Sequence, residues 1–190
     1  MSRRPERVRC KWPRNPLAVE YHDKEWGVPV RDDRKLYEFL ILEGAQAGLS
    51  WDTVLAKREN YRKALDGFDF EKIASYQSKK KKQLLANPGI VRNRAKIDSA
   101  VVNAKCFLAL QKECGSFSAY VWRFVGGKPI RLKRGAAVPA RTAVSDALSK
   151  DLKRRGFKFV GSTIIYAFMQ ATGLANDHTA QCFRSRMRLK

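Results

Sequence analysis

The sequence predicts an all-α fold, and three observations carry that prediction. Apolar residues recur at helical spacing through most of the chain. No run alternates polar and apolar residues long enough to build a sheet. Capping residues or glycines stand at the ends of several periodic runs. In chain order, Lys35 to Ala47 is helical, with Leu36, Phe39, Leu40 and Glu43 along one stripe, and the helix breaks at Gly48. Ser50 is placed to cap a helix from Trp51 to Leu65, and Asp52 falls in its first turn, where the helix dipole favours negative charge. Asp69 caps a further helix from Phe70 to Tyr76, and Asn87-Pro88-Gly89 is a turn. The longest clean stripe follows, through Ile97, Ala100, Val101, Ala104, Phe107, Leu108 and Gln111. Phe117 to Phe124 is a short aromatic helix, and residues 126–144, with three glycines and two prolines, are loop. Ser145 to Arg155 resumes helix and ends at Gly156; Ser162 to Thr172 is the last helix, closed by Gly173.

A chain of 190 residues is long enough for one well-formed core, either a single domain over 1–190 or two helical lobes around a shared cleft. No internal repeat is present. No apolar run approaches the length of a membrane span, and the basic amino terminus lacks the apolar segment of a signal peptide, so a cytoplasmic monomer is expected. Four cysteines without a secretion signal are expected as thiols or metal ligands rather than a disulfide framework.

Charge is the strongest compositional signal. Thirty-nine Lys and Arg against 18 Asp and Glu give a formal charge of +21. Basic tails are expected at 1–9 and 183–190, and Lys79 to Lys82 form an unbroken run. Single charge runs are usually solvated faces, but the whole balance points to a polyanion partner, with loose membrane-surface binding the lesser alternative because no helix combines a basic face with an exposed apolar one.

Within that basic chain Glu43 stands out. Four residues after Phe39 and three after Leu40, it points inward with them, and an inward carboxylate with no cation in its own stretch costs several kcal/mol unless something pairs with it. The ordinary alternative is a structural hydrogen bond; the functional one is that a base is brought to it. Residues 154–174 form a helix, a turn bounded by Gly156 and Gly161, and an apolar helix, with Lys153, Arg154, Arg155 and Lys158 around the turn. That arrangement suits a phosphate seat at a helix N-terminus, or equally an ordinary helical corner with solvated lysines.

Both histidines lie near cysteines. Cys10 and His22 are separated by eleven residues, and His178 and Cys182 stand at i, i+4, the spacing that faces one side of a helical turn. Two thiolates and two imidazoles make a closed tetrahedral zinc set with no open position for water, so the expected zinc is structural and ties the first segment to the last. Cys106 is expected in the core, Cys114 has no evident partner, and Trp12, Trp26 and Trp122 are assigned to the core.

The stretches CKW (10–12), AVEYHDKEWGVP (18–29), LEGAQAGLSW (42–51), KRENYR (57–62), SDALSKDLKRRGFKFVG (145–161) and NDHTAQC (176–182) together resemble bacterial 3-methyladenine DNA glycosylase I. The resemblance runs from about residue 8 to 182. It implies a helical fold related to the helix-hairpin-helix DNA glycosylases, monofunctional excision of 3-methyladenine from alkylated double-stranded DNA, and a structural zinc on Cys10, His22, His178 and Cys182. It also implies a base pocket of Tyr21, Glu43 and Trp51, with Glu43 as the catalytic residue, and a plug for the gapped duplex at Gly48 and Leu49. Some relatives carry a second aromatic where this chain has Ala18. Tyr21 and Trp51 are expected to sandwich the cationic base, and Lys153, Arg154, Arg155 and Lys158 to meet DNA. No lysine lies in the pocket motif, so hydrolysis is expected rather than Schiff-base chemistry. Asp177 is expected to cap the turn that carries His178. A rival of another class is a zinc-stapled, non-catalytic DNA-binding protein, which accounts for the charge, the hairpin and the zinc but not for an inward Glu43.

Overall fold

The computed structural model describes residues 7–131 and 137–186. Of the expected basic tails, residues 1–6 and 187–190 lie outside these. Ten α-helices are present among the described residues, and local side-chain caps begin most of them. Asn15 accepts from Ala18 N and Pro16 takes the first position of α1 (Pro16–Lys24). Asp32 opens α2 (Asp33–Gln46), and Ser50 opens α3 (Trp51–Ala56). After α4 (Arg58–Ala64), Asp69 caps α5 (Phe70–Ala74); α6 (Ser78–Ala86) has no side-chain cap. Asn93 caps α7 (Arg94–Cys114), Ser116 caps α8 (Phe117–Arg123), and Thr142 with Ser145 forms a capping box at α9 (Ala143–Arg154). Gly161 precedes α10 (Ser162–Ala171).

The all-α expectation holds, with local differences. The helix expected from Trp51 to Leu65 breaks at Lys57, whose N–H bonds back to Val54 O, and the new axis delivers Arg58 inward onto Glu25 and Glu38. Two-residue strands β1 (Ile130–Arg131) and β2 (Ala175–Asn176) pair in parallel, too short to leave any alternation in the sequence. The lysine run lies on α6, whose one buried residue, Leu84, makes no visible stripe.

Helix α2 is the centre of the molecule. Ten of its 14 residues are buried, and it touches α3, α7, α8 and α10, so the acidic side chains on its buried face, Glu38 and Glu43, are largely cut off from solvent. Glu38 is answered by Arg58, Arg62 and Lys35. Asp33 accepts from the Phe117 and Ser118 N–H groups, fastening α2 to the start of α8. Aromatic packing continues outward, with Phe107 stacked on Phe117 at 4.2 Å.

Gly173, at φ +70°, closes α10 against the chain entering α2: a Cβ there would lie 2.4 Å from Val28 C and Pro29 N. Both neighbours are backbone, so neither can rotate away. Gly173→Ala is expected to cost about 3 kcal/mol or more. A chemical-denaturation midpoint equal to the parent's would overturn this.

Candidate active site and metal cluster

A cavity of about 460 Å³ opens between the chain ends and α2, walled by Trp12, Tyr21, Trp26, Glu43, Trp51 and Asp177, among others. Glu43 is 4% exposed. Among the described residues its carboxyl makes no hydrogen bond or ion pair, and burial alone pushes its pKa up to about 8. Burial first, and then the neighbouring Glu43, push the Tyr21 phenol well above its ordinary value. The indole N–H groups of Trp12 and Trp51 are buried and have no acceptor. The wall thus presents one unanswered carboxyl and two unanswered donors on aromatic surface, a composition suited to a flat, polar-edged, cationic ring.

The expected sandwich is not the arrangement found. Tyr21 and Trp51 touch each other, with centroids 5.2 Å apart and planes at 45°, so a base cannot lie between them. Trp12 meets Tyr21 edge-on at 6.2 Å and belongs to the wall rather than to the closed core. Ala18 is fully buried and is not one of the residues that line the cavity. Trp122, by contrast, is in the core, its indole donating to Val30 O. Asp177 does not cap the His178 turn: Asn176 Oδ1 accepts from His178 N, while Asp177 Oδ2 accepts from Tyr166 and Gln170.

At the end of α2 the chain turns through Gly48, at φ +76°, and leaves Leu49 41% exposed. Leu49 stands between Gln46 and Trp51, both in the cavity wall. Lys96, which the sequence did not single out, donates through Nζ to the carbonyls of Ala45 and Ala47 at 2.8 and 2.6 Å and secures the last turn before Gly48.

The four basic residues expected at the α9–α10 turn divide. Arg154 pairs with Asp151, and Arg155 with Asp151 and Glu113. Lys153 and Lys158 are exposed and have no side-chain partner among the described residues, and Asn103 holds the turn through the backbone N–H and C=O of Lys158. At the start of α10 the Ser162 hydroxyl is taken by Asp146, a negative charge on the very spot expected for phosphate. Gly156 serves packing: at φ +91° it faces Cys106 Sγ.

Cys10, His22, His178 and Cys182 converge, their ligand atoms all within 4.8 Å of one another, and could hold a metal ion. Cys182 Sγ lies 3.5 Å from His22 Nε2 and from His178 Nδ1, and Cys10 Sγ lies 3.6 Å from His178 Nδ1. Each imidazole is engaged on its far nitrogen, His22 Nδ1 by Asp23 and His178 Nε2 by Trp26 O, which leaves a lone pair toward the cluster. Asp23 is in turn gripped by Arg9, so the basic segment near the amino terminus is partly folded into the site. Gly27 has no room for a Cβ, which would meet His178 Nε2 at 2.9 Å.

Trp12 was missed because only its neighbour Cys10 marked it, and Lys96 because a lysine on a helix carries no signal of what it will bond. No described helix is long and apolar enough to cross a membrane. A family model described as methyladenine glycosylase matches residues 11–185. DNA-3-methyladenine glycosylase 1 of Escherichia coli (strain K12) is 49% identical over 177 residues, 92% of this chain and 95% of that protein. A crystal structure of 3-methyladenine DNA glycosylase I superposes with a TM-score of 0.89 at 51% identity, covering 93% of this chain and 98% of that one. A structure of the Staphylococcus aureus 3-methyladenine DNA glycosylase I, concerned with how that enzyme recognises 3-methyladenine, gives 0.88 at 36% identity, over 92% of this chain and 94% of that one.

Proposed function

The chain belongs to the methyladenine glycosylase family, and from that premise we propose that it repairs alkylated double-stranded DNA by flipping out and hydrolytically excising 3-methyladenine. The observation that carries this is Glu43, an unanswered carboxyl in the wall of an aromatic cavity. Methylation at N3 makes the nucleoside cationic and weakens its glycosidic bond, so the leaving group needs little further activation. Glu43 opposes the ring's positive charge and accepts from its exocyclic amine, and the ring lies against the face of Trp51 or Trp12. The cationic ring draws the proton off the buried carboxyl and pairs with it, whereas a neutral adenine leaves the carboxyl protonated, gains no such attraction and is disfavoured. Leu49 fills the space the nucleotide leaves, as an apolar wedge on a close-approaching glycine turn. Lys153 and Lys158 meet phosphate beside the α9–α10 turn. Water adds to the sugar cation and an abasic site remains.

The Cys10, His22, His178 and Cys182 set is proposed to hold zinc. In a tetrahedral site with zinc–sulfur bonds of about 2.3 Å and zinc–nitrogen bonds of about 2.0 Å, the sulfur–nitrogen edges come to about 3.5 Å, in agreement with the spacings of 3.5 and 3.6 Å. Four protein ligands close the coordination, so the ion would stabilise the fold and leave the chemistry to the cavity.

The test is single-turnover incubation with methylated duplex. Free 3-methyladenine and an abasic site are expected. Binding without base release would instead favour the non-catalytic damage-recognition protein. Lys11, exposed at the cavity rim, is expected to form no adduct with the abasic sugar; covalent trapping by borohydride would overturn simple hydrolysis.

A further inference from the structure

Between Glu71 and Asp98 the chain has no acidic residue and eight basic ones. Their roles separate once the partners are known. Lys72 pairs with Asp69, Lys80 with Asp66 and Lys81 with Asp98, Lys96 is spent on the α2 carbonyls, and Lys79 and Lys82 stand exposed on α6. Arg92 and Arg94 are exposed and have no partner among the described residues.

These two arginines stand on a well-anchored segment. Ile90 is 3% exposed. Val91 N–H donates to the Tyr61 hydroxyl, and Asn93 caps α7 through Lys96 N–H. The backbone that presents Arg92 and Arg94 is therefore held on both sides. Lys96 then ties the same segment to Ala45 and Ala47, directly before Gly48 and the exposed Leu49. The spare positive charge and the apolar wedge are thus parts of one rigid unit. A duplex that accepts Leu49 into its stack brings its backbone, one charge per about 1.7 Å of axis, past the adjoining guanidinium groups.

We propose that residues 91–96 are a second DNA-contacting arm, in which Arg92 and Arg94 bind backbone phosphates beside the Leu49 turn and Lys96 holds arm and turn in register. This rests on the glycosylase reading above. The arm is a chain segment separate from the one that carries the α9–α10 lysines, so the flipped nucleotide is gripped from two parts of the chain. Arginine suits the task, since its planar fork binds phosphate oxygens in pairs and stays charged.

The experiment compares three full-length double variants, Arg92→Ala/Arg94→Ala, Arg92→Lys/Arg94→Lys and, as a charge-matched control on α6, Lys79→Ala/Lys82→Ala. The probe is a short duplex carrying a tetrahydrofuran abasic analogue, titrated over a range of salt. For Arg92→Ala/Arg94→Ala the log–log salt slope is expected to become shallower by about 1.8 and the association constant to fall roughly 30-fold at about 0.15 M salt, as expected for two lost phosphate contacts. The lysine pair is expected to keep most of the slope, and the α6 pair to change it by less than half as much. Binding of free 3-methyladenine is expected to stay at the parent's level in all three. An unchanged slope for Arg92→Ala/Arg94→Ala, or an equal fall for the α6 pair, overturns the arm. Failure of the parent protein to bind 3-methyladenine or release it from DNA overturns the glycosylase reading instead.

Discussion

Glu43→Gln is expected to slow base excision by roughly 10- to 100-fold, the equivalent of the one to three kcal/mol typical of a hydrogen bond to a charged group, while making the protein more stable above neutral pH. The two effects share a cause. Burial holds the Glu43 pKa up at about 8 in the folded protein, against 4.5 for an unburied carboxyl. Between those values the native state keeps a proton that the unfolded chain has released. The unfolding free energy therefore falls as pH rises through that window and levels off above about 8, a loss on the order of a few kcal/mol. Glutamine has the same shape and no titration, so the variant escapes the loss. It also cannot answer a cationic ring. The measurement is single-turnover excision beside melting curves at about pH 6 and about pH 9. Excision at the parent's rate would mean that charge recognition is wrong and that Glu43 is a spare structural acceptor. A Tm that falls at both pH values would mean that its carboxyl is answered inside the protein.

Loss of the proposed zinc is expected to have the larger effect on stability. Cys182 and His22 are fully buried, Cys10 nearly so. Without an ion, burial pushes the Cys10 thiol up to about 11 and the His178 imidazole down to about 4, so four groups face one another with little to join them. A dication reverses the thiols' preference, drawing thiolates into place beside imidazoles that burial already keeps neutral. Cys182→Ser, or chelation of the parent, is expected to cost about 4 kcal/mol or more, roughly 10 °C or more in Tm for a chain of this length. Excision is expected to persist at low temperature, because Glu43 sits on the central helix. Elemental analysis that finds no zinc in the purified protein would sink the assignment. Complete loss of excision in a variant that keeps the parent's Tm would show that the ion does more than hold the fold.

What could be read from the sequence followed the reach of each interaction. Glu43 was legible because helical periodicity alone turns it inward beside Phe39 and Leu40, and burial on α2 agrees. The Cys10, His22, His178 and Cys182 set was legible from residue type, since few other uses bring both histidines of a chain beside cysteines. The break at Lys57 was not, because it depends on Arg58 finding Glu25 and Glu38 across the fold. The tilt of Tyr21 on Trp51 was not, since composition names the aromatics of a pocket but not their planes. Lys153, Arg154, Arg155 and Lys158 looked alike in a row; only tertiary structure shows Asp151 and Glu113 neutralising the two arginines. Lys96 shows the same limit, a surface residue by type that the fold turns onto two carbonyls.

The Cys10–His178 contact joins residues 168 positions apart. Closing so long a loop carries an entropic cost of about 4–5 kcal/mol beyond a constant, which makes it a late event in folding. During synthesis at about 5–20 residues per second, Cys10 emerges on the order of ten seconds before its histidine partner can exist. Trp12 and Thr179, which flank that contact, both line the base cavity. A growing chain therefore holds the α2 segment, Glu43 included, well before it owns a cavity in which that carboxyl could meet a base. In that interval Cys10 and His22, two of the four residues proposed to hold zinc, wait without their partners as a free thiol and imidazole, and the half-made enzyme has no means of opening a glycosidic bond.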